Sequence, residues 1–409
     1  MNKIIWSLLF YIGSVTSLLG QSSVRLRIDS VAIQNQLQRA SQQIRHLSRA
    51  TPADKFPQSF ENGTHRFSNS SWWCSGFFPG TLLLLADATG DSELLQLGLD
   101  KLSYLEKEQF NTGTHDLGFM LYCSFGQALR LTGDSAQYLP VLEQGAASLA
   151  SRFSPEVGAI RSWDHGSWEY AVIIDNMMNL ELLTQVAEMS NQPNWKNLAV
   201  AHAEKTMAHH FRDDYSSYHV VDYDQRTGAV KGRYTHQGAD DESAWSRGQA
   251  WGLYGFTMMF RETEDRRFLE QAVHIADYLL NHAEMPADGI PYWDFDYHNV
   301  SGDRPFYSQR KLRDVSAAAV LCSGLIELAQ YVDRHAETKY MRFAEKIMKS
   351  LSAAPYLTPE GQQGGFILQH SVGALPLGSE IDVPLTYADY YFIEALVRYK
   401  KLLTGAALF

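Results

Sequence analysis

Cysteine, basic clusters and the common catalytic signatures are all scarce in this sequence, and each scarcity closes a class of protein. Cysteine occurs only at 74, 123 and 322, each in an apolar or aromatic setting. That excludes a disulfide scaffold and any CxxC metal site. One bridge would leave an odd thiol, so buried free thiols are the expectation. No basic run exists, and the chain carries a net charge of −11. A nucleic-acid binder shows a basic patch or stripe, so no nucleic-acid partner is expected. An acidic ligand would need a local cluster of donors. There is no HExxH, no Gly-rich phosphate loop and no GxSxG, so the usual metal, nucleotide and serine-hydrolase motifs are missing. No metal and no cofactor is expected, and His209–His210 on a polar helix need none.

Long apolar runs are also rare. The one that stands out is MNKIIWSLLFYIGSVTSLLG, with a single early cation, Lys3, and an apolar stretch from Ile4 to about Leu19. This is the layout of a secretory signal peptide over residues 1–20. It is too short and too rich in Ser and Gly for a membrane span, which needs roughly 20 apolar residues. The expected protein is exported to the periplasm, with no membrane span after cleavage. Residues 21–409 are expected to form one domain.

What the chain does have is helical periodicity repeated almost throughout. Small-residue-rich helices are expected at Gly76–Asp87, Leu117–Leu131, Asp175–Met189, Ser246–Arg261, Asp314–Val332 and Tyr387–Leu403. More polar helices lie between them, at Ser92–Glu108, Ala136–Arg152, Asn194–His210, Arg266–His282 and Thr338–Leu351, with Val31–Arg49 supplying one more. Short turns such as ATGDSE and LTGDSAQ carry the Gly and the N-cap Asp expected between antiparallel helices. Six such hairpins predict an all-α, closed (α/α)6 barrel, because stacking buries the apolar faces and closure removes the ends. Longer aromatic-rich connections fall on one rim. Within them, 214–236 and 289–299 are expected to form short β-hairpins. The inner helices would start at that rim, where their N-termini favour anionic groups.

Three segments place chemistry at that rim. THDLGFM puts Asp116 just before an apolar helix, where a plain N-cap would also explain it. WEYAVIIDNMMNL puts Asp175 among Ile173, Ile174, Met177 and Met178, a setting that can raise a carboxyl pKa and keep its proton for donation. Paired carboxylates are the usual equipment of glycoside chemistry, although spacing alone is not diagnostic. YTHQGADDESAWSRGQAWGLYG is the densest: His236, Gln237, Arg247 and Trp251 are donors or stacking surfaces, and Arg247 and Trp251 share one helix face. Arg binds carboxylates bidentately. Against that stands a structural ion pair from Arg247 to Asp240, Asp241 or Glu242. Trp72, Trp73, Phe77, Trp163, Trp168 and Trp293 sit on the loop side, one or two of them as sugar-stacking candidates. His219 and His298 are further donor candidates.

Taken together, HDLGFM, IIDNMMNL, THQGADDESAWSRGQAWGLYG and GSEIDVPLTYADYYFIEAL resemble the unsaturated glucuronyl hydrolases, glycoside hydrolase family 88. The resemblance runs from WWCSGFFPG (72–80) to the C-terminus. It implies the same barrel. It also implies an enzyme that removes a 4,5-unsaturated uronic acid from the non-reducing end of lyase-generated oligosaccharides by hydrating the C4=C5 enol ether. By resemblance, Asp175 is the acid and base, and Asp116 its orienting partner. By the same resemblance His115, His219, Gln237, Arg247, Trp251 and Trp163 are substrate contacts; His236 and Trp73 join them as candidates from the reading of the residues themselves. Ser371 and Ser379 fall where some members select sulfated hexosamines with Ser and Lys, but HSVGALPLGSEID has no Lys, which leaves the sulfation preference open. The expected partners are unsaturated uronate-terminated oligosaccharides, and the expected state a monomer or weak homo-oligomer. Two other readings remain: an unsaturated rhamnogalacturonyl hydrolase with a pectin-derived substrate, and a noncatalytic (α/α) carbohydrate-binding protein.

Overall fold

A computed structural model describes residues 24–298 and 311–409. The expected signal peptide and part of the loop after His298 lie outside the described residues.

The helices are α1 (Ser30–Ala50), α2 (Phe77–Thr89), α3 (Ser92–Leu105), α4 (Gln127–Thr132), α5 (Ser135–Ala150), α6 (Leu180–Met189), α7 (Pro193–His209), α8 (Ser246–Thr263), α9 (Arg266–Asn281), α10 (Val315–Leu328), α11 (Arg334–Leu351) and α12 (Thr386–Thr404). Burial separates them into two rings. Every residue of α10 is buried, as are Ser246–Met259 of α8. By contrast α9 and α11 bury only one stripe, for example Phe268, Leu269, Ala272, Ile275 and Leu279, the signature of a helix with one solvent face. The inner elements touch in sequence, from α2 through the 118–132 segment, α6, α8 and α10 to α12, and α12 packs back on α2. The ring therefore closes, as the hairpin count implies.

The tight turns work as their sequences promise. Gly90 and Gly133 end α2 and α4 in the left-handed region, with φ of 74° and 70°. Asp91 and Asp134 then accept amide N–H groups at the starts of α3 and α5. These bonds satisfy donors that the helix itself cannot.

Two inner helices begin irregularly. The second hairpin starts as a π-helix over Gly118–Gly126, and the third as a 3-10 turn over Ile174–Asn179. Gly118 lies against Asn179, where a Cβ would come within 2.5 Å of its Cα. Asn179 Oδ1 accepts the Phe119 N–H at 2.9 Å. The segments that follow Asp116 and Asp175 are thereby locked together.

The β-structure lies in the inter-hairpin connections. β1 (Phe56–Glu61) pairs with β2 (Thr64–Ser68), and β3 (Phe153–Ser154) with β4 (Ala159–Ile160). A three-stranded sheet joins β5 (Ala171–Ile173), β6 (Val220–Tyr223) and β7 (Val230–Tyr234), and β8 (Ser371–Ala374) pairs with β9 (Ser379–Val383). The hairpin expected in 214–236 is β6–β7. The one expected in 289–299 does not form within 289–298. Those residues make isolated bridges instead, Trp245 to Asp294 and Tyr292 to Arg313. Pro291 and the inward turn of Asp294 toward residues 239–243 take that backbone away from a self-paired ladder. The three cysteines are free thiols. No helix of the described residues is long and apolar enough to cross a membrane.

Candidate active site

The β5–β6–β7 sheet sets the register of the site. Ile173 pairs with Val220, and the next amide, Ile174 N–H, donates to His219 O at 3.1 Å. Asp175 and His219 therefore flank one end of the same ladder. Val220 pairs with Tyr234, which brings the following residues back over His219. The amides of His236 and Gln237 both donate to His219 Nδ1 at 3.1 Å. An acceptor Nδ1 puts the proton of the neutral ring on Nε2. That N–H lies 3.7 Å from Asp175 Oδ2. Burial first, then the neighbouring His236 and Arg247, push the His219 pKa well below its usual value, so the ring is a neutral donor.

Neither expected carboxylate is a helix cap. Asp175 Oδ2 is buried with no hydrogen-bond partner, and the 3-10 turn it opens has no side-chain cap. Burial raises its pKa to about 7; Arg247 opposes the rise, and Asp116 adds to it. Trp251 is fully buried, and its indole N–H makes no hydrogen bond of ordinary length, yet this donor is near enough to stabilise the Asp175 carboxylate. Among the described residues Asp116 accepts a hydrogen bond from Thr114 Oγ1, at 2.9 Å. Its other oxygen lies 3.2 Å from His115 Nε2. His115 Nδ1 is engaged by Ser162 O at 2.8 Å, and Nε2 has no aligned partner.

Aromatic rings wall this centre. Trp163 contacts Trp168 at 5.2 Å, His236 at 5.1 Å and His219 at 5.9 Å between ring centroids. Trp73 packs on Tyr387 at 4.8 Å and on Phe119 at 5.6 Å. Trp251 packs on Phe119 and Tyr391. Of the other loop-side rings, Trp72 is 46% exposed and Trp293 is fully buried. His298 is exposed, edge-on to Tyr297.

Arg247 is not in the local ion pair that the sequence offered. It does not pair with Asp240, Asp241 or Glu242. Nη1 bonds Asp314 Oδ2 at 3.0 Å and Val372 O at 2.6 Å, while Nη2 bonds Gly373 O at 2.6 Å. Trp245 stacks over the guanidinium at 4.5 Å and touches His219 on its way. Arg247 thus ties β8 to α8 and acts on Asp175 through its charge. Gln237 shares the same anchor, since its Nε2 donates to Gly373 O at 3.1 Å. Ser371 is fully buried with an unpartnered Oγ. Ser379 is exposed at the far end of the β8–β9 hairpin, opposite Ala374. The structure does not bring those two serines together.

Several residues here escaped the sequence reading. Asp314 caps α10 and also receives Arg247; its D-x-S spacing was the available signal. Asp294 is buried and accepts from Ala239 N, Ser243 Oγ and Asp296 N, so it holds the loop that carries His236 and Gln237. Tyr387 is buried with an unpartnered hydroxyl, and nothing in TYADYY marks it. Among the described residues, no group of His, Cys, Asp and Glu side chains is arranged to hold a metal ion.

The sequence pattern of Glycosyl Hydrolase Family 88 matches residues 49–409. An unsaturated glucuronyl hydrolase of Formosa agariphila is 42% identical over 86% of this chain and 86% of its own length. An unsaturated chondroitin disaccharide hydrolase of Streptococcus agalactiae is 30% identical over 84% of this chain and 85% of its own. The crystal structure of an unsaturated glucuronyl hydrolase specific for heparin superimposes with a TM-score of 0.87 at 48% identity, covering 93% of this chain and 100% of that one.

Proposed function

This chain belongs to glycosyl hydrolase family 88, and from that premise we propose that it removes a 4,5-unsaturated uronic acid from the non-reducing end of glycosaminoglycan-type oligosaccharides by hydrating the C4=C5 double bond. The observation that carries this reading is Asp175: a carboxyl held near pKa 7, with one buried, unpartnered oxygen 3.7 Å from a neutral imidazole N–H. Such a group is about half protonated at neutral pH, suited to give a proton and then take one. Asp175 protonates C4, and positive charge develops at C5 beside the ring oxygen. The carboxylate left behind takes a proton from water as the water oxygen bonds to C5. The C5 hemiketal opens to a ketone as the bond from C5 to the ring oxygen breaks, the ring oxygen stays on C1 as a hydroxyl, and the aglycone is released as an alcohol when that C1 hemiacetal collapses to an aldehyde. One water is consumed. Asp116 and His115 orient the sugar hydroxyls. His219 presents its Nε2–H 3.7 Å from Asp175 Oδ2, and the Trp163 and Trp73 walls exclude water and stack on the sugars. Arg247, neutralised in part by Asp314, keeps the Asp175 pKa from rising further.

Heparin-type disaccharides are the first candidate substrates, because the 48% identical structure is of a heparin-specific enzyme. The test follows loss of the unsaturated uronate's ultraviolet absorbance on disaccharides from heparin, chondroitin, hyaluronan and pectin lyase digests. Loss on the glycosaminoglycan products is expected. Loss on the pectin product alone would move the chain to rhamnogalacturonyl substrates. Binding without loss on any of them would make it a carbohydrate-binding protein.

We further propose that residues 1–20 direct export and are removed, leaving 21–409 as a single catalytic domain in the periplasm, alone or as a weak homo-oligomer. Lys3 followed by the apolar run to Leu19 supports this. Cell fractionation with N-terminal sequencing tests it, and an uncleaved cytosolic protein would overturn it.

A further inference from the structure

The outer helix α9 buries Phe268, Leu269, Ile275 and Leu279. The outer helix α7 buries Ala199, His202, Ala203 and Thr206 instead. A fully buried imidazole on such a face costs stability unless its hydrogen bonds are made, and His202 makes one of two. Its Nδ1 accepts the Ile160 N–H at 3.0 Å. The proton of the neutral ring is therefore on Nε2, which has no hydrogen-bond partner. Burial first, then His210 and His115, push the His202 pKa down to about 3, so Nδ1 remains an acceptor throughout the neutral range. An apolar residue would fill this space without stranding a donor. The bond to Ile160 is what the imidazole adds, and a broken packing rule of this kind is expected where function requires it.

Ile160 is held on its other side by the turn that carries Asp175. Asn176 Nδ2 donates to Ile160 O at 3.0 Å, and Asn176 directly follows Asp175 in the chain. Two residues beyond Ile160, Ser162 makes three more bonds to the site. Its N–H donates to Ala171 O at 2.8 Å, its Oγ accepts the Ile173 N–H at 3.0 Å, and its carbonyl accepts from His115 Nδ1 at 2.8 Å. Residues 160–162 thus back the strand that delivers Asp175, the turn that carries it and the His115–Asp116 pair. β3 holds this segment along one edge, through Phe153 opposite Ile160. His202 is its bond to α7. Asp175 Oδ2 has no hydrogen bond of its own, so its aim depends on the backbone around it.

Resting on the proposed reaction, we propose that His202 is a positioning residue: by its bond to Ile160 it fixes the 160–162 segment, and through Asn176 that segment holds the Asp175 carboxyl where proton transfer to C4 requires it. A misplacement of about 1 Å can cost about 10²-fold in rate even when the altered residue is far from the chemistry.

The experiment measures kcat and KM separately on an unsaturated disaccharide for His202→Asn, His202→Gln and Asn176→Leu. Asn carries its amide oxygen the same number of bonds from Cα as imidazole Nδ1, so it can accept from Ile160. Gln carries its amide one bond further out and loses that acceptor while staying polar. His202→Asn should keep kcat within about threefold of wild type, whereas His202→Gln should lose about tenfold or more with KM changed less than about twofold. Asn176→Leu releases the other side of Ile160 and should lose kcat similarly. Its combination with His202→Gln should lose clearly less than the product of the two single losses, because both act through one residue. Equal kcat in His202→Asn and His202→Gln overturns the proposal, and so does a loss confined to KM. If His202→Gln does not fold, a folded Asn176→Leu with wild-type kcat, or a folded His202→Asn about tenfold slow, overturns it equally. A wild type that consumes no unsaturated disaccharide sinks the proposed reaction and this inference with it.

Discussion

At one end of the barrel Arg261 is ringed by Glu181, by Glu262 at 2.7 Å and by Glu327 at 2.8 Å, and Arg398 closes the set against Glu327, Glu394 and Tyr254. At the other end Asp175 Oδ2, His219 Nε2, His115 Nε2, Trp251 Nε1 and Tyr387 Oη are buried without hydrogen bonds. The two regions are about 20 Å apart along α8, counting from Arg247 to Arg261. A cavity of about 540 Å³ opens at the Arg261 end, lined by Glu181, Arg261, Arg398 and Phe409 among others, yet its charges are already satisfied by one another. Chemistry belongs at the end whose polar atoms are left open, because unpaired buried groups are costly unless a ligand completes them. Size of cavity is the poorer guide here.

The sharpest way to break that contrast is Asp175→Asn. Turnover should fall by about 10²–10⁴-fold, the usual worth of a positioned acid–base group, while disaccharide binding persists. Stability should move the other way. A carboxyl whose pKa is about 7 when folded and about 3.8 when unfolded costs stability as pH rises through that window. The cost is absent below about 3.8 and complete above about 7. The Asn variant should therefore melt higher than wild type at pH 8 and equally at pH 3.5, if both remain folded there. A variant less stable at pH 8 contradicts the assigned burial of charge. Arg261→Met is the mirror experiment. Leaving buried carboxylates without their cation should cost about 3–5 kcal/mol in denaturant titrations, and activity per folded molecule should stay within about twofold. A large loss of kcat in that variant would join the two ends functionally and undo the comparison.

A pH profile sharpens it. Because Asp175 must carry a proton to begin, kcat/KM should fall about tenfold per pH unit above an apparent pKa near 7. The negative charge of Asp116 raises that value, so in Asp116→Asn the residual activity should fall off at lower pH. A limb that stays in place means the two carboxylates do not sense each other. The smallest effect is expected from Tyr387→Phe. Removing an unpaired buried hydroxyl should leave the free protein as stable or slightly more so, and raise KM severalfold, about 1 kcal/mol, if a bound sugar is the partner that completes this hydroxyl. A destabilised variant with unchanged KM would show that the hydroxyl has a structural partner.

Much of this was legible in the sequence. The ATGDSE and LTGDSAQ turns, the small-residue inner helices and the amphipathic outer ones each encode a local preference that the structure keeps. The segments holding Asp116, Asp175 and His236–Trp251 stood out because polar residues interrupt otherwise apolar helix starts. The pairing of Arg247 with Asp314 did not stand out, since 67 residues separate them and nearer acids in 240–242 offered an equally good local partner. Strand β5 was hidden for a similar reason: AVI is too short to signal a strand until β6 lies beside it.

The sequence by itself determined which stretches are helical, which faces they bury and where the chain turns, because periodicity, caps and left-handed glycines act within a few residues. Tertiary structure alone decided which nitrogen of His219 carries its proton, which carboxyl is left without partners and which guanidinium is already engaged. Those outcomes depend on amides, carbonyls and charges delivered from distant hairpins, and only ring closure brings them within hydrogen-bonding distance.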